Sequence, residues 1–180
     1  MIPIQYVRSV TARTEALTRE VFEEMMRSER TRTVIEQCRG GNLEKAKRLL
    51  PGICWQAAAF KDNRRIDANA QSNGLFALDV DHISRQKLKD IGTPHDLWKS
   101  FAHRIDELGI VCVHQTPSAD GLRVVALCQP QFRSIAENQA WLADEIHCIH
   151  DAVCRDWTRL YFISVEEDFF YVDWETLFGC

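Results

Sequence analysis

Residues 74–81 read Gly-Leu-Phe-Ala-Leu-Asp-Val-Asp, a short apolar run that is opened by a glycine and closed by acidic residues. Such a run is typical of a buried strand. Because side chains alternate between the two faces of a strand, Asp79 and Asp81 are expected to share one face, while Leu78 and Val80 point into the core. The stretch therefore predicts a core strand that ends in two neighbouring carboxylates.

Three other runs have the same character and are predicted to be strands. They read GICWQAAAF from residue 52, GIVCVHQT from residue 109 and GLRVVALC from residue 121. The apolar periodicity of helices is present in residues 94–108 and in residues 135 to about 153. The first of these helices lies between two predicted strands, so it predicts a crossover connection. Two last runs, TRLYFISV and FFYVDW, are expected to pair as a hairpin around residues 166–168.

The order of these elements indicates an α+β fold, an α/β sandwich with helices beside a largely antiparallel sheet. With 180 residues and 46% hydrophobic content, the chain is long enough for one good core and short for two. Residues 1–50 have helical patterns and are interpreted as a helical N-terminal extension of a core at 51–180. The sequence thus predicts a single domain over residues 1–180.

The cysteines and the N-terminus indicate the compartment. The seven cysteines are odd in number, scattered and without a C-x-x-C pair, which argues against a disulfide framework or a zinc ribbon. The start MIPIQYVRSV lacks the features of a signal peptide, and the sequence has no long apolar run of the kind that crosses a bilayer. A cytoplasmic protein without a membrane segment is therefore expected.

The aspartate pair is the sharpest chemical feature. Two carboxylates side by side at the end of a buried strand repel each other, and a cation that neutralises them makes the arrangement tolerable. Mg²⁺ and Mn²⁺ are the natural candidates because they are hard ions that prefer oxygen ligands. The alternative is that both aspartates are simply solvated at the tip of a strand.

A second feature is the turn between the last two strands of this group, which reads Thr-Pro-Ser-Ala-Asp-Gly-Leu-Arg over residues 116–123. Ser118, Gly121 and Arg123 could offer a hydroxyl, backbone N–H groups and a guanidinium to phosphate oxygens. An ordinary hairpin turn would also use Asp-Gly at this place.

A third feature is the stretch His150-Asp151, which is followed by Asp156 and Arg159. Taken alone, Asp151 is interpreted as a surface residue, because sequence spacing cannot show that it meets the distant aspartate pair. His147, His150 and Cys154 could share a helix face and ligate zinc, but no fourth ligand is evident and packing of the cysteine is favoured. The aromatic residues Trp55, Phe60, Trp141, Trp157 and Trp174 could include a base-stacking platform, although strand and helix aromatics usually belong to the core.

In this order, the three features resemble the motifs of the archaeo-eukaryotic primase superfamily, the primase-polymerases. LDVD is similar to its hydrophobic-Asp-hydrophobic-Asp motif, SADGLR to its Ser-x-x-Gly-hydrophobic-His motif, and HDAVCRDWTR to its third motif. The resemblance covers about residues 50–174 and is closest to the primase-like domains that precede helicase modules in bacterial mobile elements. Arg123 stands where the enzymatic members have histidine.

The resemblance implies a fold and a set of roles. The fold would be a primase-polymerase catalytic core with an RRM-like sheet. Asp79, Asp81 and Asp151 would be the catalytic, metal-binding triad for Mg²⁺ or Mn²⁺ in a two-metal site. Ser118, Gly121, Arg123 and Arg159 would bind the nucleotide or its phosphates.

The implied activity is that of a DNA primase or primase-polymerase, a nucleotidyltransferase that makes or extends primers on single-stranded DNA from nucleoside triphosphates. A helicase domain or protein would be its partner in replicating a mobile element. A lapsed nucleotide- or single-strand-binding module and a metal-dependent nuclease are the rival interpretations. Basic residues before position 70 are candidates for contact with the template backbone: Arg30, Arg32, Arg39, Lys45, Lys47 and Arg48.

Overall fold

A four-stranded antiparallel sheet separates the two larger hydrophobic clusters of the described residues. The computed structural model describes residues 1–86, 88, 90–150 and 155–179. The strands are β1 (Gln5–Val7), β2 (Glu15–Ala16), β3 (Gly52–Cys54), β4 (Ala57–Phe60), β5 (Ala70–Ser72), β6 (Leu75–Val80), β7 (Ile110–Gln115), β8 (Leu122–Leu127), β9 (Tyr161–Phe162) and β10 (Phe169–Val172). The mixed α+β class expected from the sequence is therefore present.

The helices of the described residues mostly begin at a side-chain cap. They are α1 (Arg19–Arg27), α2 (Glu29–Gln37), α3 (Leu43–Ala46), α4 (Pro94–Phe101), α5 (Ile105–Leu108), α6 (Ile135–Glu145) and α7 (Trp174–Phe178). Helix α4 starts with a capping box in which Thr93 and Asp96 satisfy each other's backbone N–H groups, and α6 starts with the same device from Ser134 and Glu137. Helix α6 ends at Glu145, earlier than its periodicity suggested.

The central sheet has the order β10-β7-β8-β6. Strand β8 lies between β6 and β7 and is antiparallel to both, so the connection from β6 through α4 to β7 is a crossover, as expected. This is a split β-α-β arrangement. The last strand, β10, pairs with β7 at the edge opposite β6.

A second sheet has the order β2-β1-β3-β9. Strand β1 pairs with β3, so the segment before residue 51 is part of a sheet and is not only a helical extension. The expected hairpin is wrong: β9 pairs with β3 in this sheet, whereas β10 pairs with β7 in the central sheet. A short 3-10 turn at Glu166–Asp168 carries the chain from one sheet to the other.

The two faces of the central sheet pack against different partners. On one face, α4 and α6 cover Phe76, Leu78 and Val124. On the other, the N-terminal helices and the second sheet enclose Ala77 and Val125 together with the fully buried Trp55. In the described parts of the chain, no helix is both long enough and apolar enough to cross a bilayer.

Candidate functional site

Strand β6 delivers the two predicted carboxylates to the face of the central sheet that meets the second sheet. Asp79 lies within the strand and is 9% exposed, whereas Asp81 comes directly after the strand and is exposed. Val80 between them points into the opposite core. The alternation predicted from the sequence is therefore present, but the two aspartates experience different solvation.

Asp79 is neutralised by an arginine of the neighbouring strand. Asp79 and Arg123 are directly opposite in the register of β6 and β8. The Arg123 Nε donates to Asp79 Oδ1 at 2.7 Å and Nη2 donates to Asp79 Oδ2 at 3.0 Å, which is a bidentate pair. Nη1 donates to the carbonyl oxygen of Phe162 at 2.8 Å, and the guanidinium lies 4.8 Å from the ring centroid of Tyr161. Arg123, expected to face a triphosphate, thus also supports Asp79.

The same cross-strand row continues to a buried histidine. His114 of β7 lies opposite Arg123, and Phe169 of β10 lies opposite His114 with the two rings stacked at 4.5 Å. Burial, and secondarily the charge of Arg123, lowers the pKa of His114 to about 3. His114 is therefore neutral near pH 7, and its Nδ1 lies 2.8 Å from the carbonyl oxygen of Gln115.

The turn between β7 and β8 brings a hydroxyl pair next to Asp81. Thr116 Oγ1 and Ser118 Oγ lie 3.0 Å apart. A Cβ at Gly121 would lie 2.6 Å from Thr116 Oγ1 and 3.1 Å from Asp81 Oδ1, so only glycine permits this close approach. Gly121 therefore helps to shape the site without offering a side chain.

A second carboxylate fastens this turn to the loop after β6. Asp120 accepts hydrogen bonds from the Ser84 backbone N–H and hydroxyl, both at 3.0 Å. Partial burial raises the pKa of Asp120, but these hydrogen bonds and nearby His82 outweigh it, so the pKa lies below its ordinary value. The loop that carries Asp81 is thus held against the Ser118 turn.

Gln86 connects Asp81 to a more distant part of the chain. Its Nε2 donates to the carbonyl oxygens of Asp81 and Ile149, both at 2.8 Å, and its Oε1 accepts from the Ile149 N–H at 3.0 Å. The backbone at Ile149 is therefore held close to the backbone of Asp81.

Most of the predicted site residues line one cavity of about 270 Å³, called here the aspartate cavity. Asp79, Asp81, Ser118, Arg123 and Arg159 all contribute to its wall. These residues come from β6 and the position directly after it, from the β7–β8 turn, from β8 and from the segment before β9. Apart from Asp151, the fold therefore brings the three sequence features together. Asp151 and Cys154 lie outside the described residues.

A larger cavity of about 460 Å³, called here the arginine cavity, adjoins the first. The two share Glu44, Lys47, Arg159, Leu160 and Phe162. The arginine cavity is additionally lined by Arg48, Arg65, Asp156, Thr158 and Val10. Sequence reasoning missed Arg65 and Phe162, because no local pattern indicates that residues 97 positions apart in the chain form one wall.

Two of the three predicted metal ligands, Asp79 and Asp81, lie in the described residues. Asp79 and Asp81 offer hard carboxylate oxygens, which suit Mg²⁺ or Mn²⁺, and each Asp79 oxygen keeps a lone pair beyond its bond to Arg123. Among the residues that the structure describes, no group of three His, Cys, Asp or Glu side chains is placed to hold a metal. The donor chemistry fits the ion, and the predicted third ligand is Asp151.

The N-terminal arginines form a separate set of ion pairs, called here the arginine clasp. Its members are the pairs Arg27–Glu166, Arg32–Glu167 and Arg39–Asp168, with N–O distances of 2.7, 2.6 and 2.6 Å. Arg32 and Arg39, proposed from the sequence as template contacts, are therefore committed to carboxylates. Among the aromatic candidates, Trp55 and Phe60 are buried in the cores.

Comparisons with protein-family models, with curated proteins and with solved structures each gave no match to this chain.

Proposed function

We propose that this chain is a primase-polymerase that transfers nucleotides, in the presence of Mg²⁺ or Mn²⁺, to a primer on single-stranded nucleic acid. The observation that carries the proposal is the aspartate cavity, in which Asp79, Asp81, Ser118, Arg123 and Arg159 meet. These residues come from three separate stretches of sequence that resemble primase motifs. Their meeting in one cavity supports that resemblance.

Each side chain has a role that its position allows. Asp79 and Asp81 are the proposed ion ligands, and Arg123 fixes the orientation of Asp79 through its bidentate bond. The Ser118 hydroxyl and the Arg159 guanidinium are placed to contact phosphate oxygens of a nucleoside triphosphate. When bound, the ions would lower the pKa of the primer 3′-hydroxyl and neutralise the leaving pyrophosphate.

Asp151 completes the proposed triad. It lies outside the described residues, but it follows Ile149 by two positions in the chain, and Gln86 holds the backbone of Ile149 beside that of Asp81. The split β-α-β part of the central sheet agrees with the RRM-like sheet of the superfamily. The last strand departs from that pattern. In an RRM sheet the last strand would pair with the strand corresponding to β6, whereas β10 pairs with β7 at the opposite edge.

A second candidate function is a binding module that has lost catalysis. The bidentate Arg123 bond favours it, because both oxygens of Asp79 already accept hydrogen bonds from a cation that stands in the usual histidine position. Such a module would retain affinity for nucleotide or single-stranded DNA and would work with a replicative helicase in the cytoplasm.

Incorporation of labelled nucleotides on a single-stranded template separates the two functions. The proposal predicts primer synthesis or extension that requires Mg²⁺ or Mn²⁺ and stops when EDTA is added. Wild-type protein that binds single-stranded DNA but shows no transfer with either metal would reject the enzyme and favour the binding module.

A further inference from the structure

The charges in the arginine cavity are unequal. Its wall contains four cationic side chains, Lys47, Arg48, Arg65 and Arg159, and two carboxylates, Glu44 and Asp156. Lys47 pairs with Glu44 at 2.7 Å, and Arg159 lies 3.6 Å from Asp156. The remaining positive charge resides on Arg48 and Arg65, so the cavity suits an anion.

The two remaining arginines are held differently. Arg65 donates from Nη1 to the carbonyl oxygen of Thr158 at 2.6 Å and from Nη2 to that of Val10 at 3.3 Å. These carbonyls fix the guanidinium without neutralising its charge. Arg48 is exposed in the middle of the turn Lys47–Leu49 that follows α3, and it forms no ion pair with any carboxylate of the described residues. One cation is thus pre-positioned and the other is free to adjust.

The cavity also offers an aromatic surface and leads to the proposed catalytic site. Phe162 is half-buried and lines both the arginine cavity and the aspartate cavity, as does Leu160. A groove that combines cations with an aromatic ring is suited to single-stranded nucleic acid, because phosphates meet the cations and an unpaired base can stack on the ring. A paired base offers no such free face.

We propose that the arginine cavity binds the backbone of the single strand, with Arg48 and Arg65 on its phosphates and Phe162 against a base near the aspartate cavity. The inference rests on the proposed function, since it assigns the path by which the strand reaches Asp79 and Asp81. It places strand contact on Arg48 and Arg65 and excludes the arginine clasp from that role.

The test uses the full chain and a fluorescein-labelled single-stranded DNA of about 16 nucleotides, an upper site size for one binding domain. Anisotropy is measured without nucleotide or divalent metal over a series of NaCl concentrations. Arg48→Ala is compared with Lys45→Ala, and Arg65→Ala with Arg64→Ala. The sequence also made Lys45 a candidate for template contact, but the structure places Lys45, like Arg64, on the exposed surface and outside both cavities. Each control therefore removes the same charge from a neighbouring position that is not part of the proposed path.

Arg48→Ala is expected to weaken binding roughly two- to fivefold, the range for an exposed charge contact. The slope of log affinity against log NaCl concentration should become shallower by about 0.7, the value for one phosphate contact on a single strand. Lys45→Ala and Arg64→Ala should leave both quantities unchanged. Arg65→Ala also removes two hydrogen bonds to backbone carbonyls, so its thermal unfolding is recorded in parallel. If Arg65→Ala is unfolded, the comparison of Arg48→Ala with Lys45→Ala alone decides the test.

Four results would each overturn the inference. The first two are no affinity for single-stranded DNA and equal losses in Arg48→Ala and Lys45→Ala. The other two are displacement of the DNA by polyglutamate of equal charge as readily as by unlabelled strand, and tighter binding of duplex than of single strand. If the protein binds the strand through Arg48 but transfers no nucleotide, only the proposed enzymatic function is rejected. Transfer activity with no difference between Arg48→Ala and Lys45→Ala would reject only this strand path.

Discussion

The Asp79–Arg123 pair and the arginine clasp use the same chemistry in two environments. In the central sheet, the side chains of Asp79 and Arg123 are 11% and 5% exposed, and two hydrogen bonds join them. In the clasp, the side chains of Arg32 and Glu167 are 42% and 61% exposed, although their N–O distance is as short. The N–O distance alone therefore does not indicate how much stability is lost when one partner of an ion pair is removed, because that loss depends on burial.

The largest expected effect is the loss of Arg123. Arg123→Ala leaves the Asp79 carboxylate buried without its partner, which for a broken buried pair costs about 3–5 kcal/mol of the free energy of unfolding. Arg32→Ala, the matched change in the clasp, should cost only a small fraction of that amount, because water solvates the Glu167 left behind. Urea unfolding of both variants measures the difference, and similar losses would show that burial does not distinguish the two regions.

A smaller effect is expected from pH, and it also separates the regions. The pKa of His114 is depressed in the folded state, so the unfolded chain binds a proton that the folded chain does not bind as pH falls below the ordinary value of 6.5. The stability is present above that pH and decreases through the window between 6.5 and about 3. Between pH 7 and pH 5 the loss attributable to this one histidine is about 2 kcal/mol.

His114→Gln should flatten this pH dependence, and unfolding free energies at pH 7, 6 and 5 measure the change. Over the measured range the clasp does not mimic the effect. Hydrogen bonds from Arg27 and Arg32 hold the pKa values of Glu166 and Glu167 below the ordinary value of 4.5, so these carboxylates are largely ionised in both the folded and the unfolded chain above pH 5. If the unfolding free energy of His114→Gln falls with pH as steeply as that of the wild type, His114 does not control the stability in this range.

The smallest expected effect concerns salt. Exposed charges are screened as the Debye length falls from about 10 Å at 0.1 M to about 3 Å at 1 M ionic strength. Whatever stability Arg32→Ala loses at low salt should therefore vanish at 1 M NaCl, whereas the loss in Arg123→Ala should persist. A clasp variant whose defect is independent of salt would show that Arg32 acts through packing.

Local signals predicted much of the fold. Strands β6, β7 and β8 and helix α4 were predicted because their signals are local: glycine boundaries and apolar runs for the strands, and the apolar periodicity of residues 94–108 for the helix. The hairpin of β9 and β10 was predicted wrongly, because the choice of partner strand depends on sheet edges formed by residues far away in the chain. The same limit explains why β1 was missed, since it exists through its pairing with β3.

The candidate site was predictable to a similar degree. The alternation of Asp79 and Asp81 and the glycine-containing turn near Ser118 follow from spacing alone. The bond from Arg123 to Asp79 depends on the register of β6 against β8, which the sequence does not display. The arginine cavity depends on the contact between Arg65 and Thr158, which are 93 residues apart, and no local pattern reports it.

The measurement that tests the central claim most directly is nucleotide incorporation by Asp81→Asn. Asp81 is exposed, so this change tests the proposed ion ligand without breaking the buried pair that Asp79 forms. With Mn²⁺ and a primed single strand, we expect incorporation to be abolished, the apo melting temperature to stay equal or rise, and the stabilisation by added Mn²⁺ to be much reduced. The control Asp106→Asn, an exposed change on α5, should behave as the wild type. Incorporation by Asp81→Asn at the wild-type rate would contradict the account.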